Sequence, residues 1–389
     1  MRSRLVEAVR LVGALAVILP GSGAWAATDA ERIDALEKQV TELEASRPAR
    51  GDEGLPLHGF LDVDAGYRSN GGPRGFGLGN LDFYLTPRIG DRIKGLVELT
   101  FEVNSSGELE ADLERAQLGY VFGDAATVWA GRFHSPWGYW NTAYHHGAQI
   151  QTSITRPQFL EFEDHGGIIP AHTVGLWATG VVPAPMGKLT YDVFGGNAAR
   201  LDLDSAGTPG TGELNPNQAT ATNHHGSAGF NLGYVFPGAL EGLKVGLHAY
   251  VATIDDNAAP PNSTRVRFGG GYFAYLENDW EILGEYYEFA NVDLSGMSGT
   301  HRSRAGYVQA GRTFGRWTPY ARGERASLDQ TDAYFAQQAD GGSYDRGVAG
   351  LRFDLDPRAA LKLEANHTRL TDRVVSSFSE VRLQWAIRF

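Results

Sequence analysis

The chain has 389 residues, no Cys, 50 Gly and a formal net charge of −12. The missing Cys excludes disulfide scaffolds, thiolate metal centres and cysteine nucleophiles, and an acidic balance without a Lys/Arg-rich block argues against nucleic acid as partner. Gly at about twice its usual ~7% share, with 8 Trp, 16 Tyr and 19 Phe, suits a large β architecture. Past the first segment no apolar run reaches the ~20 residues of a membrane helix, which leaves soluble β proteins and closed membrane barrels.

The first 26 residues read as a secretory signal. Arg2, Arg4 and Arg10 form a basic start, Leu11 to Leu19 is apolar, and Ala24-Trp25-Ala26 is an A-x-A cleavage site. Residues 27–47 then predict a periplasmic helix. Ile33, Leu36, Val40 and Leu43 follow an a/d seam, which predicts a coiled coil that oligomerises the chain. Thr28 and Glu31 make a capping box at its start. Pro48 ends it, because Pro disfavours helical geometry in the preceding residue. Residues 48–56 are a linker.

From Leu57 onward the dominant signal is alternation with period two. Leu57, Leu61, Val63, Ala65 and Tyr67 point one way, and His58, Asp62, Asp64 and Arg68 the other. At the far end Val381, Leu383, Trp385, Ile387 and Phe389 oppose Glu380, Arg382, Gln384 and Arg388. Sixteen such segments are expected: 57–67, 78–89, 93–103, 112–122, 126–133, 172–182, 188–196, 226–236, 241–252, 264–276, 278–289, 301–313, 316–325, 344–354, 359–369 and 377–389. Most have the length of a tilted membrane strand. Their connections alternate between short turns and long loops, as periplasmic turns and extracellular loops do in an outer-membrane barrel. The expected fold is an all-β transmembrane antiparallel barrel of about 16 strands over 57–389.

A barrel of this size encloses water, so the polar face becomes the expected pore wall. It comprises Asp62, Asp64, Arg88, Glu98, Glu102, Arg115, Lys244, Arg265, Arg267, Arg322, Arg346, Arg352, Arg382 and Arg388. Asp82, Glu281, Glu285, Glu324, Lys362 and Glu364 share that face. Trp129, Trp177, Trp280, Trp317 and Trp385 are the expected aromatic girdles.

The chain thus resembles Gram-negative outer-membrane porins over its whole length after the signal. The strongest element is the C-terminal strand Val-Arg-Leu-Gln-Trp-Ala-Ile-Arg-Phe. Its Trp385 and Phe389 look like the terminal-aromatic signal that the barrel-assembly machinery reads. A helix before sixteen strands is similar to the phosphate-selective porin O/P group, whose members are trimers with lumen Arg and Lys. The resemblance implies a homotrimer embedded in outer-membrane lipid. No dense basic cluster matches that group's anion selectivity. The stretch Gly131-Arg132-Phe133-His134-Ser135-Pro136-Trp137-Gly138-Tyr139-Trp140 looks like a motif of uncharacterised porin-like proteins.

Residues 134–171 form a loop far beyond ordinary length, so it should be functional or disordered. Trp137, Tyr139, Trp140, Tyr144, Ile150, Ile154, Phe159, Phe162, Ile168 and Ile169 argue for order. The loop resembles the third extracellular loop of porins, which folds inward and narrows the pore. It would carry His134, His145, His146, Arg156, Glu161, Glu163, Asp164 and His165 to the constriction. Its three carboxylates against one Arg predict a mild cation preference.

Adjacent His145 and His146 diverge on an extended backbone, and no diagnostic metal spacing appears. No G-x-S-x-G or H-E-x-x-H motif occurs, so neither catalysis, metal nor cofactor is expected. The expected function is a passive water-filled channel for small polar solutes and ions. The alternatives are a porin selective for phosphate, divalent metal or carbohydrate, and a plugged barrel that anchors the coiled coil.

Overall fold

A computed structural model describes residues 57–389 except 73, 104–106, 145–146, 218–224, 297–298 and 373–376. The expected signal segment and the seam residues Ile33, Leu36, Val40 and Leu43 lie outside the described residues. The strands are β1 (Leu57–Arg68), β2 (Arg74–Leu85), β3 (Arg88–Ile89), β4 (Ile93–Val103), β5 (Leu109–Gly123), β6 (Ala126–His134), β7 (His172–Ala184) and β8 (Gly187–Asn197). Next come β9 (Arg200–Asp202), β10 (Glu213–Asn215), β11 (Gly226–Val235), β12 (Leu243–Asp255), β13 (Ser263–Glu277) and β14 (Trp280–Asp293). The last are β15 (Thr300–Arg312), β16 (Trp317–Ser327), β17 (Tyr344–Asp356), β18 (Ala359–Leu370) and β19 (Ser377–Arg388).

Strands β2 and β3 both pair with β4 and make one stave, while β9 and β10 form a separate hairpin. The remaining strands join antiparallel neighbours, and β1 closes on β19 from Phe60↔Arg388 to Arg68↔Glu380. The result is a closed sixteen-strand barrel. Closure leaves no strand edge, which is the condition for burying a sheet in hydrocarbon. Each of the sixteen segments expected from alternation carries one stave. The seam is sealed at its end by Gly59, whose N–H donates to the Phe389 carbonyl at 2.9 Å. Gly59 has to lack a side chain, because a Cβ there would stand 2.4 Å from Phe389 Cζ and 2.6 Å from the Asp82 carbonyl.

Alternation separates the two faces. Leu363, Leu383, Val308 and Trp385 are about half exposed on the outside, while Lys362, Glu364 and Gln384 between them are buried inside. Apolar outside and polar inside is the order that lipid imposes. One bulge breaks the count. The register shifts between Glu98↔Arg115 and Leu99↔Leu113, so Glu114 is the extra residue and is buried.

Two expectations about facing are corrected. Arg265 and Arg267 are exposed on the outer face, because the inward set of β13 is Thr264, Val266, Phe268 and Tyr272. A polar face need not be the lumen face: this stave turns an apolar face inward, where Phe268 receives Trp137 of the packed loop. Trp129 and Trp177 belong to no outer girdle. They stack at 6.0 Å, half-buried, on the inner face, where Trp177 lies 5.7 Å from Phe133 and Phe133 in turn meets the buried Phe194 at 6.4 Å. Trp280, Trp317 and Trp385 remain outward.

Candidate pore and its inward loop

The segment between β6 and β7 packs against the inner wall and contributes the short helix α1 (Trp140–Ala143). Two forces hold it. The first is apolar. Trp137 meets Phe268 and Tyr287 edge-on at 5.9 and 6.0 Å, Trp140 meets Tyr307 at 5.6 Å, and Phe159 meets Tyr287 at 5.3 Å. These rings are fully or almost fully buried, and each aromatic pair adds about 0.5–1.5 kcal/mol beyond area burial. The helix α2 (Ala333–Gln337), in the loop after β16, extends the cluster by placing Phe335 on Phe289 at 5.2 Å.

The second force is polar. An irregular segment has backbone groups that no ladder satisfies, and burial makes each of them costly. Wall charges fill that need. Glu285 accepts the Tyr139 and Trp140 N–H groups at 3.0 and 2.6 Å. Glu364 accepts the Ile154 N–H at 2.9 Å, and Glu324 accepts that of Gln158 at 2.8 Å. Arg322 donates to the carbonyls of Thr155 and Arg156 at 2.9 Å each, and Lys362 donates to that of Ser153 at 3.1 Å. Arg352 donates to Gln149 and Gln151 at 2.7 and 3.0 Å. Arg322 and Arg352, expected on an open pore wall, are therefore covered by the loop they hold.

A third clasp sits where the loop rejoins the wall. His172 places Nδ1 2.9 Å from Glu163 and Nε2 2.7 Å from Glu114, beneath the stacked ring of Phe162. Two carboxylates facing both ring nitrogens call for the doubly protonated imidazolium. Burial works against the Glu163 charge, but the His172 cation and N–H outweigh it. The carboxyl is held below its ordinary range.

Beside the loop lies a cavity of about 710 Å³. Its wall carries Asp62 and Asp64 from β1, Asp82 from β2 and Glu102 from β4, with Arg346 from β17 and Arg382 and Glu380 from β19. The loop face adds Arg156, Glu161, Phe162 and His165, and the loop after β16 adds Asp340. Arg68 and Arg74 stand at the long-loop end. Acidic groups gather on β1–β4, and Arg382 stands next to them on β19, the strand paired with β1, with Arg346 two staves further on β17. His165 stands 3.4 Å from Glu102. At the depth of Gly147 the loop closes on β1, where a Cβ on Gly147 would sit 2.9 Å from the Phe60 ring.

The expected constriction set divides. Arg156, Glu161 and His165 line the cavity. Glu163 does not, being buried against His172, and His134 lies 3.5 Å from Glu98. His145 and His146 and the Asp164 side chain lie outside the described residues. Of the expected wall, Asp62, Asp64, Glu102, Arg346 and Arg382 line the cavity. Glu98 is buried with Arg115 as its ion-pair partner. Lys244 faces inward on another stave, 5.8 Å from the Tyr272 ring. Arg88 and Arg388 are exposed at the short-turn rim. Asp340 was not foreseen, because an irregular loop carries no periodicity to say which side chain turns inward.

The fold is a closed sixteen-strand antiparallel barrel with a long loop folded against its inner wall. In sequence the chain matches no family model and no curated protein. In structure it is similar to an anion-selective porin from Comamonas acidovorans, with 14% identity and a TM-score of 0.56, covering 86% of this chain and 98% of that one. It is also similar to OmpT, an outer membrane protein of Vibrio cholerae, in its trimer form (12%, TM-score 0.53, 86% and 98%). A third is the outer membrane channel DcaP of Acinetobacter baumannii (13%, TM-score 0.51, 86% and 96%). At such identities the likeness is one of fold.

Proposed function

We propose that the chain forms a passive outer-membrane channel for small polar solutes and ions, with the inward loop narrowing its path. The observation that carries this reading is the charged cavity left beside the loop. A wall lined with seven carboxylates and five guanidinium groups is at home in water, not in a packed core. The facing charges would act on solutes by sign, with a mild preference for cations. The same excess of carboxylates speaks against phosphate selectivity. A homotrimer is supported by the trimer form among the similar structures and by the expected heptad of residues 27–47. The C-terminal Trp385 and Phe389 are proposed as the signal to the barrel-assembly machinery.

The test is single-channel recording in planar bilayers, with reversal potential in a salt gradient. Open steps in groups of three with a cation-selective potential support the reading. A folded barrel that stays silent overturns it. One observation favours the second reading, a plugged barrel. Gly147 of the loop packs directly against the Phe60 ring of β1, so loop and wall touch there. A silent wild type that opens on Phe60→Ala would establish the plug.

A further inference from the structure

The outward arginines that do not belong to the lumen form a pattern of their own. Arg265 and Arg267 on β13, Arg302 and Arg304 on β15, Arg325 on β16 and Arg369 on β18 are all exposed at the long-loop ends of their strands. The register makes them one belt. Arg267 donates from Nε to the Ala290 carbonyl at 3.1 Å, and Ala290 pairs with Arg302. Arg325 pairs with Asp345, which pairs with Arg369. Two carboxylates share this face: Glu288 lies 3.4 Å from Arg302, and Asp345 pairs with Arg325. Six guanidinium groups against two carboxylates leave the belt strongly cationic.

Its height follows from the strands. On β16 the outward residues between Trp317 and Arg325 are Pro319, Ala321 and Gly323, and on β15 those between Arg304 and Arg312 are Gly306, Val308 and Ala310. Eight residues of a strand tilted by ~40° climb roughly 20 Å, close to the ≈25 Å apolar band of a membrane barrel. Outward Trp280 and Trp317 mark the lower edge of that band, and the arginines mark its upper edge, on the side of the long loops. The belt stops at β19, where Ser377, Ser379 and Val381 hold the outward positions.

We propose that this belt is a docking surface for the phosphorylated headgroups of outer-leaflet glycolipid. Acyl chains lie on the apolar band below, and phosphates meet the arginines above it. The guanidinium fork matches phosphate in shape and charge. The commitment to lipid rests on that charge complementarity and on continuity with the lipid-facing band. A second copy of this chain is the poorer occupant, since the outward strand faces offer no acidic sector to match among the described residues.

The test titrates the full chain, in mild detergent, with the diphosphorylated glycolipid of Gram-negative outer leaflets. The same glycolipid stripped of phosphate and inorganic phosphate alone are the other probes, read by native mass spectrometry. The wild type should hold the diphosphorylated form. The triple variant Arg265→Gln, Arg304→Gln, Arg369→Gln should lose affinity on the order of a hundredfold, at about one decade or less per charge. The matching Lys variant should keep most of it, and channel conductance should not change. Equal binding of the stripped glycolipid, or equal binding by the Gln variant, would overturn the proposal. Occupancy by inorganic phosphate alone would mean a free-anion site instead, and a changed oligomer in the Gln variant would mean a subunit contact. If the triple variant does not fold, Arg304→Gln alone carries the same comparison.

Discussion

Glu285 on β14 accepts the backbone N–H of Trp140 at 2.6 Å across a sequence separation of 145 residues. The same carboxylate also accepts the hydroxyls of Tyr287 and Tyr307 at 2.7 and 2.9 Å. One buried wall charge thus organises both the loop and the aromatic floor beneath it. Replacement by Gln keeps the shape but removes the charge, and its NH2 group takes the place of one oxygen, so two of the four donors face a donor instead of an acceptor. Such bonds are worth about 1.5–3 kcal/mol each when charged and about half that when neutral. Glu285→Gln should lower the thermal midpoint of the barrel and make open-channel current noisier. Wild-type noise and midpoint would show that the aromatic packing alone holds the loop.

Glu161 and Glu163 stand two residues apart but have different environments. Glu161 lines the cavity, and Glu163 is buried against His172. Glu161→Gln is expected to shift reversal potential toward anions, as is Asp64→Asn, whereas Arg382→Gln should shift it toward cations. Glu163→Gln should leave selectivity where it was. A shift from Glu163→Gln as large as that from Glu161→Gln would place both side chains in the ion path.

The Glu163–His172 clasp also sets a pH dependence. The native Glu163 carboxyl lies below its ordinary range of about 4.3. Its contribution is therefore fully present above that range and is lost as pH falls through the lowered native value. Current through the wild type should be steady near neutrality and become unstable only in strong acid. In Glu163→Gln the acid step should shrink, measured as current noise against pH. An identical acid step in the variant would assign it to another carboxylate.

The inward Phe60 ring of β1 packs directly against Gly147 of the loop, which itself lines the cavity. Phe60→Ala should raise single-channel conductance, by enlarging the cross-section, and leave selectivity unchanged because no charge is altered. Conductance equal to wild type would move the narrowing elsewhere.

Closure of the barrel depends on the fit of Phe389 over Gly59. A Val at position 59 would force branched carbons into both the Phe389 ring and the Asp82 carbonyl. The backbone oxygen cannot step aside, so Gly59→Val should reduce the heat-modifiable folded band on gels by most of its intensity. Deleting residues 28–47 tests a different element. It should leave that band intact and weaken the proposed trimer on native gels.

The barrel could be read from the sequence because its cause is local. Lipid outside and water or polar loop inside demand opposite side chains on successive residues, and Val381 through Phe389 records that demand directly. Turn lengths record which end of each strand faces which compartment. The inside of the barrel was not legible in the same way. Alternation says that Arg322, Arg352 and Lys362 share the inner face, but not that the loop from Ser135 to Ala171 covers them. That covering depends on hydrogen bonds between residues 145 to 210 positions apart, and no period links such partners. Alternation also cannot tell which of two faces is the lumen when a stave turns Val266 and Phe268 inward and Arg265 and Arg267 out. Only tertiary packing decides that, because an aromatic loop makes one half of the lumen apolar and leaves the charged half beside β1–β4 and β19 open to water.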